Sequence, residues 1–224
     1  MLGGVLFDLD ETLIDAGGCH REASRRAFAA FGMDWDEALR RTGPFFGRRM
    51  REILAARRDA LGIAESAAPL SELLALRQHA YLEVFPAGVR LLPGAPQAVA
   101  SVREHGAVAA IVSSSARVTI ALTVEHYGLS RLVSFMIGGD DVEHGKPDPE
   151  CYEVAYHHLQ SFRSAAKHDC LVVEDSSVGV IAARSAGISV CLIPRYPLAE
   201  PVDPEYTLPS LEEFPGLVAR LSRR

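Results

Sequence analysis

The chain has 224 residues, 48% hydrophobic and 23% charged, with a formal net charge of −6. That size and apolar content suffice for one good core and a smaller second one. The acidic balance argues against a nucleic-acid footprint, so an anionic ligand must be drawn in locally, by a metal and selected cations. The most apolar stretch, 107–124, is interrupted by Ser113-Ser114-Ser115 and Arg117, which argues against a membrane span. No basic leader precedes the first apolar run, and the cysteines at 19, 151, 170 and 191 lack CxxC spacing. The expectation is a reduced cytoplasmic protein with buried free thiols and no signal peptide.

In chain order, Gly4-Val5-Leu6-Phe7 reads as a short buried strand that runs out into Asp8-Leu9-Asp10-Glu11-Thr12. Strand alternation sends Asp8 and Asp10 to the same side and Leu9 inward. Two acids side by side repel unless a cation lies between them. The pair suits a hard divalent ion held through oxygen, or a carboxylate nucleophile beside a carboxyl that gives and takes a proton. The plainer alternative is that both acids cap the following turn, as Asp often does. From Cys19 to about Phe85 the periodicity is helical throughout, punctuated by Gly32, Gly62 and Pro69. After Leu92-Pro93-Gly94 an αβ alternation begins: helix 95–105, strand 108–112, helix 117–127, strand 132–137, helix 149–161, strand 170–174, helix 177–186 and strand 188–193. Such alternation predicts a Rossmann-like parallel sheet with helices on both faces.

Three later runs also end in chemically competent groups. Val108–Val112 ends in Ser113-Ser114-Ser115, Leu132–Ile137 leads through an acidic loop to Lys146, and Cys170–Val173 ends in Glu174-Asp175. In open parallel sheets the ligand crevice lies beyond the carboxyl ends of the strands, so all four sets converge there. Lys146 is one of two lysines, with Lys167, against 21 arginines. A compact ammonium at that position is therefore a choice rather than a habit. Rival motifs fail. Five residues separate Gly139 from Gly145, one too many for a P-loop, and Pro147 replaces the required hydroxyl. Leu13 stands where an EF-hand loop needs Gly. His157-His158 has no third ligand neighbour and reads as a solvated helix face.

The order Asp8-Leu9-Asp10-Glu11-Thr12, Ser113, Lys146, Glu174-Asp175 resembles the four motifs of the haloacid dehalogenase superfamily, over nearly the whole chain. The resemblance implies that Asp8 becomes an aspartyl-phosphate and Asp10 acts as general acid/base. It implies that Thr12 steadies the loop, that Ser113, with Ser114 the next choice, and Lys146 hold the phosphoryl group, and that Asp8, Asp10, Glu174 and Asp175 serve a Mg²⁺ site. Glu11 departs from the Gly common at its position. The helical insert resembles the family's four-helix cap, giving a core of 1–15 and 88–224 and a cap of 16–87. In the cap, His20, the turn Gly47-Arg48-Arg49, and Arg77 on a third helix are candidates to contact substrate, with most other arginines solvated.

The leading expectation is a magnesium-dependent phosphatase of a small phosphate ester, a sugar or polyol phosphate. The alternative is a phosphomutase of the β-phosphoglucomutase kind. A 2-haloacid dehalogenase would not need the acidic metal set, and a phosphonate hydrolase would need a cap lysine that residues 16–87 lack. A non-catalytic binding protein would not need the full set of core groups. The sequence does not speak to oligomeric state.

Overall fold

The computed structural model describes residues 1–43 and 45–223. The chain divides into two compact units, one of Met1–Ile14 with the chain from Leu91 onward, the other Asp15–Arg90. The first contains a six-stranded sheet built from β1 (Gly4–Phe7), β4 (Val108–Val112), β5 (Phe135–Ile137), β6 (Cys170–Glu174), β7 (Ser189–Leu192) and β8 (Tyr206–Thr207). Their order is β5-β4-β1-β6-β7-β8, and every described pairing is parallel. Two short strands, β2 (Ile14–Asp15) and β3 (Arg90–Leu91), pair where the chain passes from one unit to the other.

The strands are uninterrupted apolar runs because both faces are covered. On one face Leu6, Ala110, Val112 and Val172 pack with Tyr152 and Leu159 of α7 (Glu150–Gln160) and Val180 of α8 (Ser177–Ser185). Phe7 points the other way, its ring edge-on to Phe214 of α9 (Phe214–Ser222) at 5.4 Å. Each such Leu or Phe contributes ~1.5–3 kcal/mol relative to exposure, which fixes β1 as the centre of the sheet. Helices α5 (Ala95–Glu104) and α6 (Arg117–His126) complete the alternation.

The expected strand 132–137 begins only at Phe135. Leu132 and Val133 donate their N–H groups back to Leu129 O, closing a turn, and pairing with β4 starts at Ser134 N, which donates to Ala109 O. Strand β8 and helix α9 lie beyond the last element read from the sequence. All four cysteines are buried and free, and His157 and His158 are exposed.

Among the described residues the second unit has four helices: α1 (Gly17–Ala30), α2 (Trp35–Thr42), α3 (Met50–Ala60) and α4 (Leu70–Gly88). They enclose their own core, with Phe28, Trp35, Leu54 and Leu73 at its centre and the Phe28 and Trp35 rings edge-to-face at 5.0 Å. Asp34 caps α2 by accepting from the N–H groups of Asp36 and Glu37. The expectation of solvated arginines fails at two positions, because Arg57 and Arg58 are buried. Arg57 stacks on Trp35 at 3.9 Å, while Arg58 pairs with Asp59 and Glu65. Aromatic faces and carboxylates replace the water these guanidinium groups give up. Among the described residues no helix is long and apolar enough to cross a membrane.

Candidate active site

Register brings the first and fourth motifs level. Phe7 lies opposite Ile111 of β4 and Val173 of β6, so Asp8 falls beside Val112 and Glu174 at the carboxyl edge. The Asp8 N–H donates to Val173 O at 2.9 Å, which continues the pairing one residue past the strand. The chain then turns sharply, with Leu13 N and Ile14 N donating to Leu9 O at 2.8 and 3.1 Å. Glu11 sits in this turn with φ 63°, a left-handed backbone that costs a residue with a Cβ about 1–2 kcal/mol. That conformation is the physical reason a glycine suits the position. Here Glu11 N donates to Ile14 O at 2.7 Å and its carboxylate pairs with Arg195 at 3.5 Å.

Lys146 is buried under the turn, and its Nζ donates to Asp8 Oδ1 at 2.7 Å, Glu174 Oε1 at 2.6 Å and Val112 O at 3.2 Å. Three donors meet three acceptors, so the ammonium is satisfied without water. Burial pulls against its charge, but Asp8 and Glu174 outweigh that and hold its pKa well above the ordinary lysine value. Burial pushes Asp8 up to about 8 against the opposing pull of Lys146, with Glu174 and Asp10 adding repulsion. Asp175 is pushed well above the carboxylate range, by burial first and then by Glu174 and Asp8.

Asp10 faces elsewhere. Its Oδ2 accepts from the Ser115 hydroxyl at 2.6 Å and the Ser113 hydroxyl at 3.4 Å, and Ser113 Oγ in turn accepts from Ser115 N at 3.0 Å. Ser115, the third serine after β4, stands furthest from the end of the strand, which is why strand position alone favours Ser113 and Ser114. Ser113 is buried, and Ser114 is half-buried. Thr12, expected to steady the loop, is buried, with its hydroxyl donating to Asp175 Oδ1 at 3.4 Å.

Among the described residues, Asp8, Glu174 and Asp175 each bring a carboxylate oxygen within 4.8 Å of the others, a group able to hold a metal ion. The Asp10 carboxylate, expected as a fourth member, lies outside this group and is held by the two serines instead. The Glu174 oxygens already accept from Lys146, Tyr152, Ser176 and Asp175 N–H. Asp8 and Asp175 are therefore better placed to offer an oxygen. Hard oxygen donors in surplus, buried and mutually repelling, fit a divalent cation.

In the helical unit, Gly47 has φ 74° and opens the turn before α3. Arg48 is exposed, and Arg49 pairs with Glu52 at 2.6 Å. Arg77 lies on the fourth helix rather than the third, buried, hydrogen-bonded to His20 and 4.9 Å from the Tyr81 ring, on which His20 also stacks.

A family model of haloacid dehalogenase-like hydrolases matches residues 5–193. The chain belongs to that family. Protein CbbY of Rhodobacter capsulatus is 31% identical over 204 residues, covering 86% of each chain. A validoxylamine A 7'-phosphate phosphatase of Streptomyces hygroscopicus subsp. limoneus is 34% identical over 185 residues, 82% of this chain and 81% of its own. The structure of CbbY from Rhodobacter sphaeroides in complex with phosphate superposes with a TM-score of 0.79 at 23% identity, over 95% of this chain and 96% of that one, a likeness of fold. With relatives of this kind along most of its length, the chain is a phosphoric monoester hydrolase of the haloacid dehalogenase type.

Proposed function

We propose that this enzyme is a magnesium-dependent cytoplasmic phosphatase of a small phosphorylated metabolite, a sugar or polyol phosphate, working through an aspartyl-phosphate on Asp8. The observation that carries the reading is one turn of chain holding two differently treated carboxylates. Asp8 is bound to a buried ammonium, and Asp10, two residues on, is gripped by two hydroxyls. Environments that separate two acids in this way divide nucleophile from proton carrier. The named activity of the Streptomyces relative supports the substrate class.

In this mechanism an Asp8 carboxylate oxygen attacks phosphorus as the bond to the ester oxygen breaks, and Asp10 gives its proton to the leaving alkoxide. Asp10 then takes a proton from water, which attacks the phosphorus and frees phosphate and Asp8. Lys146 keeps Asp8 in its attacking orientation and adds positive charge where the phosphoryl oxygens gather. Asp8 and Asp175 would hold the magnesium ion, which when bound supplies further positive charge for those oxygens. His20, Gly47, Arg48 and Arg77 of the helical cap, with Ser114 of the core, would select the rest of the substrate. Phosphate release from a panel of phosphate esters, with and without magnesium, tests the reading. Release that is indifferent to magnesium, or absent for every ester, would refute it.

Metal binding has a readout independent of activity. Asp8 is raised, so its contribution to folded stability is full below the unfolded carboxylate pKa near 4 and is lost as pH rises toward about 8. A bound cation replaces the proton. The rise in melting temperature on adding magnesium should therefore be larger at pH 8 than at pH 5. An equal or reversed effect in calorimetry would remove Asp8 from the metal site.

Hydrolysis should prevail over phosphoryl transfer to sugar. A mutase must protect its phosphoenzyme from water until a sugar hydroxyl arrives, which needs several specific contacts at the cap entry. Here Ala16 is buried and Gly17 and Gly18 open α1, with no hydroxyl or charge among them. With β-glucose-1-phosphate, phosphorus NMR should show inorganic phosphate accumulating faster than glucose-6-phosphate. The opposite order would make the enzyme a phosphomutase.

A further inference from the structure

Glu174 is wholly buried, and its surroundings are built to hold its carboxylate still. Oε1 accepts from Lys146 Nζ and from the Tyr152 hydroxyl, both at 2.6 Å. Oε2 accepts from Ser176 Oγ at 3.1 Å and Asp175 N at 3.2 Å. Gly179, one turn into α8, supplies the space. A Cβ there would stand 1.9 Å from the Glu174 carboxyl carbon and 2.1 Å from each oxygen. Tyr152, one of the largest fully buried side chains, meets Lys146 a second time, its ring centroid 5.1 Å from Nζ. Burial, with Glu174 adding to it, holds the phenol well above its ordinary pKa, so it stays a donor.

We propose that Tyr152 and Gly179 are positioning residues for catalysis, fixing the Glu174 carboxylate so that Lys146 keeps its ammonium on Asp8. Because Tyr152 and Lys146 share Oε1, the phenol shares the demand of that oxygen for hydrogens. Without it Oε1 has Lys146 alone and draws Nζ toward Glu174 and away from Asp8. Neither residue bonds to Asp8, so their effect on chemistry passes through Lys146. This inference rests on the role given above to Asp8 and Lys146.

The test uses Tyr152→Phe in the full chain, which keeps the ring and removes one oxygen. Turnover should fall by about tenfold with KM unchanged, the loss that ~1.4 kcal/mol of transition-state stabilisation represents. The chain has two lysines, so protein labelled with ¹⁵N-lysine offers two side-chain ammonium signals. In Tyr152→Phe the Lys146 signal should shift and its hydrogens should exchange faster, while that of Lys167 stays. Tyr156→Phe is the control. Its hydroxyl donates to Ala165 O at 3.0 Å and its ring lies 5.5 Å from Lys167 Nζ, so turnover and the Lys146 signal should not change. Gly179→Ala displaces the same carboxylate without touching Tyr152 and should move both readouts the same way, which keeps the test decisive if Tyr152→Phe folds poorly. An unmoved Lys146 signal, or a raised KM at constant turnover, would overturn the proposal. Absent turnover in the wild type would fail the phosphatase reading alone, since the lysine signals still report the positioning.

Discussion

Asp8→Asn should lose turnover by about four orders of magnitude or more, because an amide is not a carboxylate nucleophile and the oxyanion-type contacts left behind cannot replace it. The fold should survive. Asp8 is buried among Asp10, Glu174 and Asp175, and without metal its charge is opposed by burial more strongly than Lys146 favours it. An uncharged side chain of the same shape relieves that repulsion, and its carbonyl oxygen can still accept from Lys146 Nζ. The melting temperature of the metal-free variant should therefore equal or exceed that of the wild type. Phosphate release and calorimetry on the same preparation separate the two effects. A variant that turns over at the wild-type rate would end the aspartyl-phosphate mechanism, and one that is inactive and unfolded would instead make Asp8 a structural residue.

The sheet was legible because parallel strands covered on both faces must be free of charge, so the carboxyl end of each strand is marked by the first polar residue. Gly4–Phe7, Val108–Val112 and Cys170–Val173 are of this kind, and the structure brings Asp8, Ser113, Lys146, Glu174 and Asp175 to one edge. Periodicity carries less when an apolar run serves two purposes. Leu132 and Val133 look like strand but close a turn, and Tyr206–Thr207 is too short a strand to announce itself after the proline-rich stretch before it. The division of labour among the acids was not legible at all. Glu174 and Asp175 are adjacent and chemically alike, yet one is occupied by Lys146 and Tyr152 and the other by Thr12. Which carboxylate is saturated depends on α7 and α8 packing behind β6, through Tyr152 and Gly179, and no local spacing encodes that. The same holds for Arg57, whose burial needs the Trp35 ring from another helix.

Asp175→Ala should raise the magnesium concentration for half-activity by about a hundredfold or more, since it deletes a hard oxygen donor whose buried place water cannot fill equally well. Asp175 is buried at the end of β6, within 4.8 Å of the Asp8 and Glu174 oxygens, and burial with the repulsion of Glu174 and Asp8 holds its pKa well above the carboxylate range against the weaker pull of Lys146. Glu174 cannot take its place, because each of its oxygens already accepts two hydrogen bonds. The Thr12 hydroxyl donates to Asp175 Oδ1 at 3.4 Å, so under the proposed metal site it would orient that carboxylate. Thr12→Val keeps the shape and removes that bond, and losing an outer partner of a metal ligand typically costs about tenfold to a hundredfold in affinity. The order of half-activation should therefore be wild type, then Thr12→Val, then Asp175→Ala, with saturating magnesium restoring most of the turnover of Thr12→Val. Titrating magnesium against phosphate release, and calorimetric melting against magnesium, should give the same order. Full activity of Asp175→Ala in excess chelator would exclude Asp175 from the metal site, whereas Thr12→Val weaker than Asp175→Ala would make the threonine, not the aspartate, the main ligand.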